Sequence, residues 1–182
     1  NVTINVDGTL KFEPKPGFSG DTAIGYTVSD GQGGSDTASV YLRVSPVNHE
    51  PAGVNLTVAM AENGQYTLQI ADFGFSDPSD SPANTLQGVK IAVLPQAGTL
   101  KLDGVDVTAN QVVSAADLAA GKLVFAPASG ASGNAYANFT FQVIDSGGTA
   151  NGGQDTDQTP NTIAFDVSAA PPVNNAPVAA DD

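Results

Sequence analysis

The sequence predicts an all-β protein, a Greek-key β-sandwich arranged as tandem repeats. Three observations carry this prediction. Apolar and polar residues alternate in short runs, a Gly/Pro/Asn/Asp-rich turn follows nearly every run, and one stretch of the chain recurs later in the same order. The 182 residues include 20 Gly and 12 Pro, which suits frequent turns. With 41% hydrophobic residues the chain can fill a real core.

The first runs are short. Val2, Ile4 and Val6 alternate with Thr3 and Asn5, and Asp7-Gly8 then gives a hairpin signal. Leu10 and Phe12 alternate with Lys11 and Glu13 before Pro14 ends the strand. Tyr26/Val28 and Val40/Leu42/Val44 form two more runs, joined by Asp30-Gly31-Gln32-Gly33-Gly34. Further strands are expected at 56–60, 65–70, 87–93, 99–102, 123–125, 137–144 and 163–167. The one helical piece is 114–120, a single turn with Ser114 as its cap, Asp117 at the third position and Gly121 as its stop. Phe12, Phe125, Phe139, Phe141 and Phe165 fall on alternate strand positions and read as core.

The repeat is detailed. Gly8-Thr9-Leu10-Lys11-Phe12-Glu13-Pro14 returns as Gly121-Lys122-Leu123-Val124-Phe125-Ala126-Pro127, and Gly17, Ser19 and Gly20 map onto Gly130, Ser132 and Gly133. After a small shift, Tyr26, Val28 and Asp30 fall on Phe141, Val143 and Asp145. Val47-Asn48 and Pro51 answer Val173-Asn174 and Pro177. The growing offset places insertions in the second copy, chiefly around 149–158. The expected organisation is the C-terminal part of a repeat at 1–44, a linker at 45–51, a complete longer repeat at 52–170, and a linker with the start of a following repeat at 171–182. The short first copy is expected to be a fragment of a longer array or a unit completed by a neighbouring chain, because a half-sandwich leaves apolar faces and strand edges unpaired.

Charge narrows the functions. Six Lys+Arg against 19 Asp+Glu give a formal net charge of −13, which disfavours phosphate backbones and anionic membranes. No run approaches the roughly 18 apolar residues of a membrane-spanning helix. The absence of Cys excludes disulfides and thiolate metal sites. The surplus of carboxylates suits a hard cation such as Ca2+.

Tyr26-Thr27-Val28-Ser29-Asp30-Gly31-Gln32-Gly33-Gly34, then the 40–44 strand and Asn48-His49-Glu50-Pro51, resembles the closing strands and linker of bacterial cadherin-like repeats. Such repeats are arrayed in large secreted adhesins, often of the RTX type. The second copy is similar also to chondroitin-sulfate-proteoglycan-type repeats, through Gly98-Thr99-Leu100 and Ala116-Asp117-Leu118-Ala119-Ala120-Gly121-Lys122-Leu123. The resemblance implies a cadherin/Ig-like sandwich, an extracellular place on a bacterial surface, and calcium at domain junctions. It implies neighbouring repeats of the same polypeptide as partners, with homotypic contacts or polysaccharide as further ones.

Residue by residue, Phe75-Ser76-Asp77-Pro78-Ser79-Asp80 resembles the paired-Asp loop, and Asp145 stands where the family places a junctional Asp. The resemblance thus implies one site between the copies from Asn48, Glu50, Asp77, Asp80 and Asp145. Ala61-Glu62-Asn63 resembles the first-strand Glu motif and makes Glu62 a ligand at the far end. Asn174 answers Asn48 at the second junction. Asp77 and Asp80 also fit a metal-free Asx-turn, and Glu62 an exposed position before the Asn63-Gly64 turn. The spacing of Asp155 and Asp157 suits calcium ligation through alternating oxygens, or a solvated acidic loop.

Catalysis is not expected. His49 reads as an exposed linker residue, no nucleophile elbow exists, and a chain without Trp and with 7% aromatics is poorly suited to a sugar-cleaving cleft. The expected role is a calcium-stiffened structural and adhesive module acting as an extender rod. A polysaccharide- or protein-binding module and a filament subunit completed by a neighbouring chain are the alternatives.

Overall fold

The computed structural model describes residues 1–171 and divides the chain into two compact units, Asn1–Val47 and Asn48–Asp182. Asn174, the expected ligand at the second junction, lies outside the described residues.

In the first unit, β1 (Val2–Ile4) pairs antiparallel with β2 (Leu10–Phe12), with Val2 opposite Phe12 and Ile4 opposite Leu10. The intervening turn forms because Asp7 Oδ1 accepts from the amide and hydroxyl of Thr9, while Gly8 takes a left-handed φ of 84°. A longer hairpin joins β3 (Gly20–Ser29) to β4 (Ser35–Val44). Its turn is held by Asp30 Oδ1, which accepts from the amides of Gln32 and Gly34. Ile24 opposite Val40 and Thr22 opposite Leu42 put the apolar residues of both strands on one face. No described residue of this unit is buried.

The second unit is an all-β sandwich. It comprises β5 (Leu56–Ala61), β6 (Tyr66–Thr67), β7 (Leu86–Val93), β8 (Thr99–Leu102), β9 (Val105–Asp106), β10 (Val112–Ser114), β11 (Leu123–Ala126), β12 (Gly133–Asp145) and β13 (Asn161–Ser168). One sheet has the order β10-β7-β12-β13-β5 and the other β6-β11-β8-β9. Neighbours that are distant in sequence, β7 with β12 and β5 with β13, require the crossovers of the Greek-key arrangement expected from the sequence. All pairings are antiparallel except β5 with β13.

The two sheets meet through aromatic side chains. Phe125 of β11 stacks on Phe165 of β13 with ring centroids 3.8 Å apart, and Phe73 meets Phe141 edge-on at 4.9 Å. Phe139, Val89, Ile91, Leu123 and Ile163 complete the buried interior. Along β12 the period of two buries Ala137, Phe139, Phe141 and Val143, and the same step carries Asp145 inside at the strand's end. That step positions the site described below.

The structure departs from the sequence expectation in three places. A strand was expected over 65–70, but only Tyr66–Thr67 pairs, and Ile70–Phe73 turns as a 3₁₀ helix. Asp72 reaches back to accept from the Gln69 amide at 2.7 Å, which favours the turn and delivers Phe73 fully buried to the core. Two short strands were not expected: β9, formed by the Asp103-Gly104 turn, and β10, which lines up on β7. The helical turn is Ala115–Ala119, with Ser114 Oγ accepting from the Asp117 amide at 3.0 Å as expected.

Pairing also accounts for the shifting offset between the two matched stretches of sequence. Leu100 lies opposite Phe125 and Leu102 opposite Leu123, just as Val2 lies opposite Phe12 and Ile4 opposite Leu10. In the longer hairpins, Gly20 opposes Val44 and Gly133 opposes Val167. The next matched pairs are Thr22 with Leu42 and Ala137 with Phe165, so a bulge in β12 between Gly133 and Ala137 takes up the extra residues. The bulge is secured by the Ala135 amide donating to Asp166 at 2.6 Å.

Candidate metal centre

Three carboxylates converge at one end of the second unit. Oxygens of Asp77, Asp80 and Asp145 lie within 4.8 Å of one another. Asp77 follows the isolated bridge between Ala52 and Ser76, which fixes the start of its loop. Asp145 ends β12, and Asp80 sits in the Pro-containing loop between them in sequence.

Burial sets the chemistry. Asp145 is fully buried and Asp77 is 7% exposed, yet Asp145 Oδ2 and Asp77 Oδ1 have no hydrogen-bond partner. The second oxygen of each is used: Asp145 Oδ1 accepts from the Gly147 amide at 2.8 Å and Asn48 Nδ2 at 2.9 Å, and Asp77 Oδ2 accepts from the Asn84 amide. Burial pushes the Asp145 carboxyl above its ordinary value, and the charges of Asp77 and Asp155 add to this against the hydrogen bonds from Gly147 and Asn48. For Asp80, burial also acts upward, but the side-chain and backbone hydrogen bonds from His49, its charge, and Asn84 together hold the carboxyl below its ordinary value.

Asn residues frame the cluster. Asn48 donates to Asp145 and to the Gln154 carbonyl at 2.8 Å, and its Oδ1 accepts from Asn84 Nδ2 at 2.6 Å. Asn84 also donates to Asp80 Oδ2 at 3.1 Å. The close fit requires glycine at 147, where a Cβ would overlap the Asn48 side chain.

The remaining sequence candidates among the described residues are not among the three grouped carboxylates. Glu50 Oε2 accepts from the Gln158 amide at 3.2 Å and is not one of the three grouped carboxylates. Asp155 contributes its carbonyl to the Asp145 amide, while its side chain accepts from the Thr156 hydroxyl. Asp157 is buried but saturated: Oδ1 accepts from the Thr159 amide, and Oδ2 from the Gly53 amide and Asn161 Nδ2. Glu62 follows the C-terminal end of β5, whereas Asn48 precedes its start, and the structure does not bring Glu62 into the cluster.

Sequence reasoning missed two participants. The sequence reads His49 as an exposed linker residue, and its ring is largely exposed, but its amide and Nδ1 also engage Asp80, at 2.9 and 2.8 Å. Asn84 carried no motif. Its only signal is a polar amide shortly after Asp80 in a Pro-bearing loop.

The unpartnered buried oxygens of Asp77 and Asp145, with the Asp80 carboxylate beside them, form a group of carboxylate oxygens, which suits a hard cation. Among the described residues no helix is long and apolar enough to cross a membrane. No curated protein matches the chain. Residues 1–45 match the family model of the cadherin-like domain, so the first unit is similar to that domain, and the second unit shares its all-β sandwich class.

Proposed function

We propose that the chain is a calcium-stiffened structural and adhesive module, and that Asp77, Asp80 and Asp145 hold the ion. The observation that carries this reading is the pair of buried carboxylate oxygens without partners, Asp77 Oδ1 and Asp145 Oδ2. Leaving a buried charge unpaired costs several kcal/mol, whereas a divalent cation converts the same oxygens into ligands. Calcium takes about 6–8 oxygens, so water and backbone or amide carbonyls would complete the three carboxylates.

The role is mechanical. Asn48 and His49, the first residues of the second unit, are tied to Asp145 and Asp80. Neutralising these acids would hold the 48–50 segment and restrict the swing of the chain that precedes it. The cadherin-like match of residues 1–45 supports an adhesion-type setting. In this reading the chain lies outside the cell, as one of many repeats in a large secreted or surface-bound bacterial adhesin. Its partners are neighbouring repeats of the same polypeptide.

The test is calorimetric titration of the chelated protein with calcium, repeated on the double variant Asp77→Asn/Asp145→Asn. Heat in the wild type and none in the variant supports the assignment. No heat at millimolar calcium removes it.

A further inference from the structure

In an Asn-Gly pair the backbone amide of the glycine readily attacks the asparagine side chain, because glycine places no Cβ in the way and lets the chain turn. The sequence holds two such pairs, Asn63-Gly64 and Asn151-Gly152. Both asparagines are exposed, and both take a left-handed φ, 61° at Asn63 and 57° at Asn151. Solvent access and φ therefore do not separate them. Their contacts do.

At the first pair, both reacting groups are held. Asn63 Oδ1 accepts from the Gly130 amide at 2.8 Å and the Ser129 hydroxyl at 3.3 Å, which ties the side chain to the loop after β11. The Gly64 amide, whose nitrogen would attack, donates to the Ala61 carbonyl at 3.2 Å. That carbonyl oxygen lies only 3.1 Å from where a Gly64 Cβ would stand, so the peptide has little room to turn. The second pair is open. Asn151 interrupts the short 3₁₀ segment Ala150–Gly152 with non-helical backbone angles, and Gly152 borders empty space. Among the described residues no hydrogen bond fixes the Asn151 side chain.

We propose that Asn151 is the chain's site of spontaneous modification, an asparagine that closes on Gly152 and hydrolyses to an isoaspartyl or aspartyl residue. The step needs only water. Hydroxide takes the Gly152 amide proton, the nitrogen attacks Asn151 Cγ, and the Cγ–Nδ2 bond breaks to release ammonia. Water then opens the cyclic imide. Opening at the original backbone carbonyl leaves a free carboxylate there, and the chain now runs through Cγ, one methylene longer.

The longer chain disturbs a specific contact. Gly153 is buried, and a Cβ there would lie 3.1 Å from the Asn48 Cβ. Next to it the Gln154 amide donates to the Asn48 carbonyl at 3.0 Å, and Asn48 Nδ2 donates to the Gln154 carbonyl at 2.8 Å. An added backbone atom at 151 shifts this reciprocal pair, so modification loosens the grip of the 149–154 loop on Asn48. The inference is independent of any ion.

The experiment ages the full chain in chelator under warm, mildly alkaline conditions, with and without urea. Peptide mass spectrometry reads amide loss at each asparagine, and enzymatic carboxyl methylation reads isoaspartate. In the native chain Asn151 should lose ammonia at least about tenfold faster than Asn63, the factor that one or two hydrogen bonds confer. In urea the two rates should converge, because the protection of Asn63 is structural. Asn151→Gln should remove the early phase of ammonia release and leave far-ultraviolet dichroism unchanged. In aged native protein the Gln154 amide should exchange faster, while β12 and β13 amides keep their rates. Loss first at Asn63 or at another asparagine would overturn the proposal, as would a preference for Asn151 that persists undiminished in urea. Unchanged Gln154 exchange in protein fully modified at Asn151 would overturn the link to Asn48.

Discussion

Asp77 and Asp145 each keep one buried carboxylate oxygen without a donor, while Asp157, buried in the same unit, has both oxygens occupied by three N–H groups. The contrast separates two uses of a buried acid. Asp157 pins Gly53, Thr159 and Asn161 and needs nothing more. Asp77 and Asp145 sit within reach of Asp80 and are left a charge deficit that their own fold does not meet.

Replacing Asp145 by Asn should therefore have opposite effects with and without calcium. In the ion-free protein the melting temperature should stay level or rise, because a desolvated like charge beside Asp77 is removed. With calcium at about a thousandfold excess over its Kd, the wild type gains roughly 4 kcal/mol and the variant should not. Thermal melting with calcium and with chelator checks both halves.

Acidity should act in two windows. Asp145 titrates above its ordinary value of 3.8 when folded, so the native state binds the proton first and ion-free stability rises as the pH falls from neutral through its folded pKa. Asp80 titrates below 3.8 when folded, so its contribution is lost at lower pH still, and Asp117, held down by Lys122 and Ser114, behaves likewise. The ion-free melting temperature should therefore climb on mild acidification and turn over below about pH 3.8. Calcium affinity should weaken in the upper window, because Asp145 must lose its proton to bind. Melting curves across pH in chelator would count against this if stability fell steadily from pH 7.

Gly147→Ala should weaken calcium binding by about 10–100-fold, the usual effect of disturbing groups that orient ligands. A Cβ there displaces Asn48, which supports Asp145 and receives Asn84. Far-ultraviolet dichroism should be unchanged, and calorimetry reads the affinity.

Ser114→Ala should cost about 1 kcal/mol through loss of the cap on the Ala115–Ala119 turn. Calcium affinity should be unaffected, since the cap is not part of the Asp77 cluster. Urea unfolding of the variant in calcium and in chelator checks both statements.

Much of the sandwich was legible because it follows a period of two. Thr99–Leu102 forms as expected, and the run Phe139, Phe141, Val143 leads directly to the burial of Asp145. What the period could not show are features made by side chains closing on their own loop. Asp72 converts an expected strand into a 3₁₀ turn, and the loop from Asp77 to Asn84 folds so that His49 and Asn84 converge on Asp80. The site's acids were identifiable by resemblance. Which carboxylates group, Asp77, Asp80 and Asp145 and not Glu50, Asp155 or Asp157, depends on distances that spacing does not encode.

The central claim is that the buried acids await a cation. Calcium titration of the chelated wild-type chain by calorimetry, with parallel melting, tests it most directly. The account predicts saturable heat, a melting temperature that rises with calcium, and loss of both in Asp77→Asn/Asp145→Asn. A wild type that shows neither heat nor a shift at millimolar calcium would contradict it.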